Sequence, residues 1–437
     1  MRLQNYVRNE YGKCEQPLKT IQRIQNGFER LGLKVEYAPV EASESLHWGR
    51  IWIDDLQIVC EGKGISPELA KASAYAELTE RISAGLFYPV FEEQVRFNLP
   101  ALYNEETLQF LNYEWMDGYV FGHQRDLDEE SITIEELLAR ETHLTAQEVV
   151  DIKNSHLAQH WVNGFSLLKE RQVKVPINFA AYIHGSNGLA AGNTLEEALI
   201  QASCEIFERF AQIRVVKSDM VVPTFDDQAI NSSLVQGMIE YYKRQNVRVM
   251  IKDLSLDDCL PTVGALFIND NLPKDRLEHR MLIPGASFFN HEGLIRCFTE
   301  GIQGRQTLSS ARSQLNRSVI PKDRVDNYYM LMRCGVAPID LSFLENGQQR
   351  VYHPWQSQDL IQEIEAIKRI CLFFNTDCIL VDHRHPVLNI PVVRVIIPKI
   401  SDFLPFLSKD ILVSKKTRPS SAWKGESFKR IMKSFFS

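Results

Sequence analysis

The chain has 437 residues, of which 44% are hydrophobic and 24% are charged. These proportions are ordinary for a globular protein, and they exclude a disordered, collagenous or coiled-coil chain. The 49 Lys and Arg residues and 56 Asp and Glu residues give a net charge of -7, which disfavours a protein whose whole surface binds DNA.

The sequence shows neither an export signal nor a membrane-spanning segment. Residues 1–30 alternate charged with single apolar residues, so they contain no apolar signal core. The longest apolar stretch, 390–400, is interrupted by Arg394 and two prolines. The eight cysteines form no C-x-x-C pair, which is typical of reduced thiols. We therefore expect a cytoplasmic protein with no membrane or DNA partner.

Short segments rich in β-branched residues alternate irregularly with longer segments of helical periodicity. The predicted strands are 33–37, 50–60, 173–182, 247–252, 262–268, 378–383 and 391–397. The predicted helices are 18–33, 66–84, 194–215, 233–245, 292–308 and 356–375. This alternation predicts an α/β or mixed α+β fold. We expect an N-terminal helix and strand region (1–61) packed on a core domain (62–405), followed by a basic tail (406–437).

An internal repeat is the most informative feature of the chain. Residues 64–81 (GISPELAKASAYAELTER) align with residues 192–209 (GNTLEEALIQASCEIFER), and seven of the pairs are identical. Both segments begin with a glycine and a good helix N-cap, Ser66 or Thr194, and both finish in E-x-x-E-R. A repeated helix of this kind predicts two pseudo-symmetric halves that derive from one ancestral unit.

Each repeated helix carries two glutamates three positions apart. Glu77 and Glu80 therefore lie on one helical face, and so do Glu205 and Glu208. Because both helices are otherwise rich in apolar residues, we interpret these faces as pointing inward. Four convergent carboxylates repel one another unless cations lie between them, and Mg²⁺ prefers oxygen ligands together with nucleotide phosphates. The repeat thus indicates a nucleotide and Mg²⁺ site, and two solvated helix faces are the alternative.

A third segment, the predicted helix 292–308, adds further polar residues. Glu300 and Gln303 share a helical face. Arg305 could bind a phosphate through two parallel hydrogen bonds, which arginine does better than lysine. Taken by itself, this pattern is more typical of an ordinary polar helix face.

Small residues precede both repeated helices. The segment 186–194 (SNGLAAGNT) runs from a strand into a helix, and its glycines let the backbone approach a ligand near the anion-favouring helix N-terminus. The G-K-G at 62–64 occupies the matching place in the first repeat. Neither segment has the pattern G-x-x-x-x-G-K-[ST], and no G-x-G-x-x-G opens a helix. The sequence therefore disfavours P-loop and Rossmann folds.

Taken together, these motifs resemble those of the YcaO family. The resemblance rests on E-x-x-E-R at 77–81, A-G-N-T and E-I-F-E-R within 191–209, T-E-x-x-Q-x-R at 299–305 and I-P-V-V-R-V-I-I-P at 390–398. It implies a YcaO-like fold with two pseudo-symmetric halves, a cleft for ATP and Mg²⁺ between them, and no P-loop. It also implies phosphorylation of a backbone amide oxygen, which activates the amide carbon for attack by a nucleophile.

The resemblance assigns roles to particular residues. The metal ligands would be Glu77, Glu80, Glu205, Glu208 and Glu300. The contacts to ATP would be Asn193, Glu197, Arg209, Gln303 and Lys71, with Lys63 as a further candidate. Glu208 and Arg305 would be catalytic, because metal ions and arginine neutralise the charge of a transferring phosphoryl group. Arg81 would have a structural role.

The family resemblance leaves the product of the reaction open. A Cys, Ser or Thr of the substrate would give an azoline, and an external sulfide would give a thioamide. Azoline-forming members often end in a P-x-P-x-P tail, whereas this chain ends in K-S-F-F-S. This difference favours thioamidation, or an accessory role in methylthiolation of a ribosomal protein. An azoline-forming cyclodehydratase and a non-catalytic ATP-binding scaffold are the alternatives.

The expected substrate is a peptide or a ribosomal protein. No fused adenylation-like or leader-recognition domain is evident in the sequence, so we expect a separate partner protein for substrate recognition or sulfur delivery. Pseudo-twofold halves are also associated with homodimers.

Overall fold

The computed structural model describes residues 3–401 apart from 42, 44, 57, 86–112, 128–129, 139–144, 156–157, 303–330, 333–334, 337–338 and 358. Within these residues strands and helices alternate irregularly, which confirms the mixed α/β prediction. None of the helices in this part of the chain is both long and apolar enough to reach across a bilayer. The predicted site residues Gln303 and Arg305 and the basic tail 406–437 lie outside the described residues.

The regular elements of the described residues follow one another along the chain. They are α1 (Pro17–Arg30), β1 (Glu36–Glu41), β2 (His47–Ile53), β3 (Ile58–Gly64), α2 (Pro67–Ser83), β4 (Val120–Phe121), α3 (Ile134–Leu137), α4 (Ala146–Asn154), β5 (His160–Ser166), β6 (Arg171–Pro176), α5 (Ile177–His184), β7 (Leu189–Ala191), α6 (Leu195–Lys217), β8 (Thr224–Phe225), α7 (Ser233–Arg244), β9 (Val247–Asp253), β10 (Thr262–Asn269), β11 (Arg280–Ala286), β12 (Phe289–Asn290), α8 (Glu292–Ile302), β13 (Gln349–Arg350), β14 (Trp355–Gln356), α9 (Leu360–Phe373), β15 (Ile379–Asp382) and β16 (Val392–Ile396).

The strands form three larger sheets. The antiparallel sheet β1-β2-β3 lies at the beginning of the chain, and α1 and α2 pack together beside it. A second sheet has the order β11-β10-β9-β8-β13, in which β13 pairs with β8 in parallel. The third sheet has the order β4-β5-β15-β16-β7, with β6 paired to β5. Helix α6 contacts β11 of the second sheet and β16 of the third, so it connects the two sheets through the main hydrophobic core.

Most of the predicted helices lie where the sequence placed them. The predictions 18–33, 66–84, 194–215, 233–245 and 356–375 correspond to α1, α2, α6, α7 and α9. Helix α8 occupies the first part of the prediction 292–308, and residues 303–308 lie outside the described residues. The predictions 247–252, 262–268, 378–383 and 391–397 likewise correspond to β9, β10, β15 and β16.

Two strand predictions were wrong. The prediction 50–60 is the hairpin of β2 and β3, because the polar residues Asp54 and Asp55 begin a short 3-10 turn between them. The prediction 173–182 is a strand only as far as Pro176, and α5 follows it. The residues of α5 are mostly apolar and mostly buried, and hydrophobic periodicity cannot distinguish such a run from a buried strand.

Strands β5 and β11 were not predicted from the sequence. Strand β5 lies inside the third sheet, and β11 packs on α6 and α8. The predicted strand 33–37 begins later than expected, since β1 starts at Glu36. The predicted domain boundaries at residues 61 and 405 stay predictions.

Candidate functional site

The two repeated helices begin in the same way. In α2 the hydroxyl of Ser66 accepts a hydrogen bond from the backbone N–H of Leu69 at 3.2 Å. In α6 the hydroxyl of Thr194 accepts one from the backbone N–H of Glu197 at 3.1 Å. Both N-caps have extended backbone conformations, as a capping residue requires. The local signals in the repeat therefore fix the start of each helix.

The repeated glycines explain how closely each strand approaches its helix. A Cβ atom added to Gly64 would lie 2.7 Å from the backbone nitrogen of Ala70. A Cβ atom added to Gly192 would lie 2.5 Å from the backbone nitrogen of Ala198, the equivalent alanine of the second repeat. Both distances are too short for any residue other than glycine without a shift of the backbone. The two repeats thus share one packing arrangement as well as one sequence pattern.

The Glu–Arg spacing, which is the same in both repeats, also produces equivalent ion pairs. Arg81 lies 3.3 Å from the Glu77 carboxylate, and Arg209 lies 3.1 Å from the Glu205 carboxylate. Each arginine follows its glutamate by four positions on the same helix, where side chains are neighbours. Arg81 also contacts Glu80 at 3.0 Å, whereas Arg209 donates a hydrogen bond to the backbone carbonyl of Met332 at 2.6 Å.

Carboxylates from the two helices lie close enough to affect one another. Burial raises the pKa of Glu80 to about 8, and the negative charges of Glu205 and Glu77 add to the rise. The positive charges of Arg81 and Arg394 oppose it. Glu80 and Glu205 belong to different repeats, so the fold brings a carboxylate of each E-x-x-E face into one electrostatic environment.

Glu208 is held by residues from two other elements. Its Oε1 accepts hydrogen bonds from the backbone N–H of Ala286 at 2.8 Å and from Nε of Arg296 at 2.9 Å. Arg296 lies on α8 and also donates to the side chain of Gln201 at 2.6 Å. Burial alone would lower the pKa of Arg296, but the negative charge of Glu208, together with those of Cys204, Glu292 and Glu205, holds this pKa above its usual value. Glu208 is therefore oriented by a cation that the sequence analysis did not single out.

Glu300 connects the third motif with the first repeat. It forms an ion pair with Lys63, which lies on β3 immediately before α2. Helix α8 thus contributes Arg296 and Glu300 to the same region as the two repeated helices. The sequence analysis expected Lys63 near ATP, and the structure places its ammonium group at a predicted metal ligand.

All five predicted metal ligands lie beside a basic side chain. Among the residues that the structure describes, no three carboxylate, imidazole or thiol groups are arranged closely enough to hold a metal ion. The type of donor nevertheless fits Mg²⁺, which takes carboxylate oxygens and retains several waters. A divalent cation beside Glu80 would also favour its ionised form, which burial and the neighbouring carboxylates now oppose.

The predicted ATP contacts Asn193 and Glu197 form a second cluster at the start of α6. The Nδ2 group of Asn193 donates to the Glu197 carboxylate at 3.1 Å. Thr20 on α1 donates its hydroxyl to Oδ1 of Asn193 at 2.7 Å, and Arg23 lies 3.3 Å from the same oxygen. Helix α1 therefore forms one wall of this cluster.

Lys71 has a different environment from the other predicted ATP contacts. Its ammonium group lies 5.6 Å from the ring centroid of Tyr37 and 6.0 Å from that of Tyr75. Such positions are typical of a cation attracted to aromatic rings. The predicted roles of Lys71, Gln303, Arg305 and the other site residues stay predictions.

Sequence reasoning missed three residues of the site region: Arg296, Thr20 and Arg23. Arg296 lies on α8 four positions before Glu300, so helical spacing from that glutamate was the available signal. Thr20 and Arg23 had no such signal, because they meet Asn193 only through the tertiary fold.

Comparison with known proteins identifies relatives along most of the chain. Residues 61–401 match a family model described as YcaO cyclodehydratase, ATP- and Mg²⁺-binding. An uncharacterized protein of Haemophilus influenzae Rd is 24% identical over 409 residues, which cover 88% of this chain and 65% of that protein. The ribosomal protein S12 methylthiotransferase accessory factor YcaO of Escherichia coli K12 is 25% identical over 263 residues, which cover 57% of this chain and 42% of that protein. The chain thus spans less than two thirds of the length of these relatives.

Two solved structures have the same fold. A heterocyclase in complex with substrate and cofactor aligns with a TM-score of 0.67 and 16% identity over 96% of this chain and 58% of that chain. YcaO from Methanopyrus kandleri, bound with AMPPCP and Mg²⁺, aligns with a TM-score of 0.59 and 17% identity over 92% of this chain and 96% of that chain. At these identities the likeness concerns the fold alone.

Proposed function

This chain belongs to the YcaO family, and on that premise we propose that it is an enzyme that phosphorylates a backbone amide oxygen of a peptide or protein. The family resemblance and the cofactors ATP and Mg²⁺, all predicted from the sequence, are confirmed by the family match. The observation that best supports the proposed reaction is the convergence of Glu80 and Glu205 from two repeated helices, each glutamate beside an arginine.

In the proposed reaction the amide oxygen attacks the γ-phosphorus of ATP, the bond from that phosphorus to the bridging oxygen breaks, and ADP leaves. When bound, Mg²⁺ would supply positive charge to the phosphates. Glu77, Glu80 and Glu205 would hold the metal ion through their carboxylate oxygens. Glu208, fixed by Arg296 and a backbone amide, would orient a metal-bound water or the metal itself. Arg209 and Arg305 would neutralise charge on the transferring group. Asn193 and Glu197 would bind the nucleotide at the start of α6.

For the product we propose sulfur modification, either thioamidation or an accessory role in ribosomal-protein methylthiolation. The name of the Escherichia coli relative supports the second of these. We propose a separate partner protein for substrate recognition or sulfur delivery, and a cytoplasmic location. A non-catalytic scaffold and an azoline-forming cyclodehydratase are the outcomes against which the proposal is tested.

The first experiment measures binding of AMPPCP with Mg²⁺ by calorimetry in wild type and in Glu205→Gln and Arg305→Ala. We expect wild type to bind and both variants to bind at least about tenfold more weakly, because each variant removes a charge to which we assign a role at the phosphates or the metal. Glu240→Gln is the matched control, since Glu240 is an exposed carboxylate on α7, and it should bind like wild type. Wild type that does not bind, or Glu205→Gln that binds equally well, would contradict the proposed site.

A second experiment distinguishes the enzyme from a scaffold. Purified protein is incubated with ATP, Mg²⁺, sulfide and a peptide fraction, and the products are analysed by mass spectrometry together with ADP formation. Replacement of a peptide oxygen by sulfur supports thioamidation, whereas loss of water indicates azoline formation. If the protein binds the nucleotide but forms no ADP and modifies no peptide, even when the proposed partner protein for substrate recognition or sulfur delivery is added, it is a scaffold.

A further inference from the structure

Residues 3–16, which we call the N-terminal segment, lie across the beginning of α6. The backbone N–H of Gln4 donates to the Glu196 carboxylate at 2.7 Å, and that of Cys14 donates to the Glu197 carboxylate at 2.8 Å. Glu196 is 4% exposed and Glu197 is 7% exposed. Carboxylates this deeply buried need hydrogen-bond donors, and the N-terminal segment supplies them.

The turn in the middle of the N-terminal segment is well defined. The side chain of Asn9 accepts hydrogen bonds from the backbone N–H groups of Tyr11 and Lys13 at 3.0 and 3.1 Å. Gly12 has a φ of +70°, a conformation that glycine adopts at little cost. This turn determines where the backbone N–H of Cys14 lies relative to the Glu197 carboxylate.

One buried ion pair attaches the segment to a distant helix. Arg8 donates through Nε and a terminal nitrogen to the two carboxylate oxygens of Glu363 on α9, at 2.7 and 2.6 Å. The side chain of Arg8 is 9% exposed and that of Glu363 is fully buried. Arg8 also donates to the carbonyl of Gly12 at 2.6 Å, and the N–H of Leu360 donates to the carbonyl of Tyr6 at 3.0 Å. A single guanidinium therefore joins the turn of the segment to α9.

We propose that Arg8 is a positioning residue of the nucleotide site, which holds the N-terminal segment on Glu363 so that Glu197 and Asn193 keep the orientation that ATP binding requires. This inference rests on the proposed function, because it presumes that these two residues contact the nucleotide. The guanidinium of Arg8 is already bonded to Glu363 and Gly12, so we assign its effect to the Cys14 amide and Glu197 and not to a contact with ATP.

The chemistry of Arg8 explains why another cation cannot replace it. The planar guanidinium forms two parallel hydrogen bonds with one carboxylate while a third N–H reaches Gly12. A lysine ammonium is a point charge on a flexible stem, so it can keep the charge near Glu363 but not this fork geometry. Without the fork, the turn loosens and the Cys14 N–H no longer holds the Oε2 atom of Glu197 in a fixed position.

The test compares AMPPCP and Mg²⁺ binding in full-length wild type and Arg8→Lys by calorimetry well below the unfolding temperature. We expect about tenfold weaker binding in Arg8→Lys, with faster hydrogen exchange at the amides of Gln4 and Cys14. Arg248→Lys is the matched control, because Arg248 forms a similar two-bond pair with Asp270 at an exposed position on β9. It should bind the nucleotide like wild type.

A purely structural role for Arg8 would change stability but not affinity. Val235→Ala, at a fully buried position in a separate core cluster, therefore serves as a variant of reduced stability. If Val235→Ala or Arg248→Lys weakens binding as much as Arg8→Lys does, or if Arg8→Lys binds like wild type, the inference is overturned. If Arg8→Lys does not fold, the same binding measurement is made on Glu363→Gln, for which we expect the same loss of affinity. Wild type that binds no nucleotide overturns the proposed function, and the inference with it.

Discussion

Arg81 and Arg209 occupy equivalent positions in the two repeated helices, yet they hold different partners. Arg81 contacts both glutamates of its own helix, Glu77 and Glu80. Arg209 contacts Glu205 and the Met332 carbonyl, while Glu208 is held by Arg296 from α8. The backbone arrangement of the repeat has been retained, but the partners of its charged side chains have diverged.

This difference shows that the two E-x-x-E-R motifs are not interchangeable. In the first repeat Arg81 forms ion pairs with both carboxylates, and the pKa of Glu80 is raised. In the second repeat each carboxylate has its own arginine, because Arg209 pairs with Glu205 and Arg296 from another helix pairs with Glu208. A residue's role in a duplicated motif therefore depends on what the rest of the fold brings to it.

The largest expected effect is that of Arg296→Met. This variant leaves Glu208 largely buried without its cation, and breaking such a pair lowers the free energy of unfolding by about 4 kcal/mol. Arg81→Met should lower it by about half as much, because its partner Glu80, with a pKa of about 8, is already largely protonated at neutral pH. Urea unfolding at neutral pH measures both. The double variant Arg296→Met/Glu208→Gln should recover most of the loss, and equal losses in the two single variants would contradict the comparison.

The next effect concerns the pH dependence of stability through Glu80. Burial raises the pKa of Glu80 from its ordinary value of 4.5 to about 8, so the folded state favours the protonated form. The resulting stability is fully present below about pH 4.5 and is lost as the pH rises through 8. Between pH 5 and pH 8 without Mg²⁺, the free energy of unfolding should therefore fall by on the order of 3 kcal/mol more in wild type than in Glu80→Gln. Parallel curves for the two proteins in urea unfolding at both pH values would argue against a raised pKa.

A smaller effect tests whether the two repeats share one packing arrangement. Gly64→Ala and Gly192→Ala should each lower the free energy of unfolding by about 2 kcal/mol, because the new methyl group would meet the backbone of Ala70 or Ala198. The control is Gly237→Ala on α7, where a Cβ atom would meet nothing within 4 Å. That variant should be slightly more stable than wild type, since alanine favours helix. A large difference between Gly64→Ala and Gly192→Ala would show that the packing has also diverged.

The smallest effect concerns the N-caps. Ser66→Ala and Thr194→Ala should each lower the free energy of unfolding by about 1 kcal/mol, because each removes the acceptor for a backbone N–H at the start of a helix. Ser66→Asp and Thr194→Asp keep a side-chain acceptor and should retain wild-type stability. Thermal unfolding of the four variants measures the difference, and unchanged stability in both alanine variants would exclude a capping contribution.

Local features of the site region were predictable because their signals are local. The caps Ser66 and Thr194, the glycines before them and the Glu–Arg spacing all follow from residues a few positions apart. The family motifs then identified the fold and the cofactors, both of which the comparisons confirm.

The features that were missed depend on contacts between distant parts of the chain. Arg296 meets Glu208 across 88 positions, and Thr20 meets Asn193 across 173. No periodicity or spacing within a short window reports such contacts. The error at α5 has another cause, since a mostly apolar run that is also mostly buried shows neither the strand period nor the helix period.

The ion pair of Arg8 and Glu363 has a consequence for the newly synthesised protein. The two residues are 355 positions apart. At roughly 5–20 residues per second, a ribosome takes about 20 to 70 s to make the chain between them. During that time the N-terminal segment does not yet have its partner on α9. Attachment of the N-terminal segment to α9 is therefore a late event in the synthesis of the chain, because it waits for α9 to be translated.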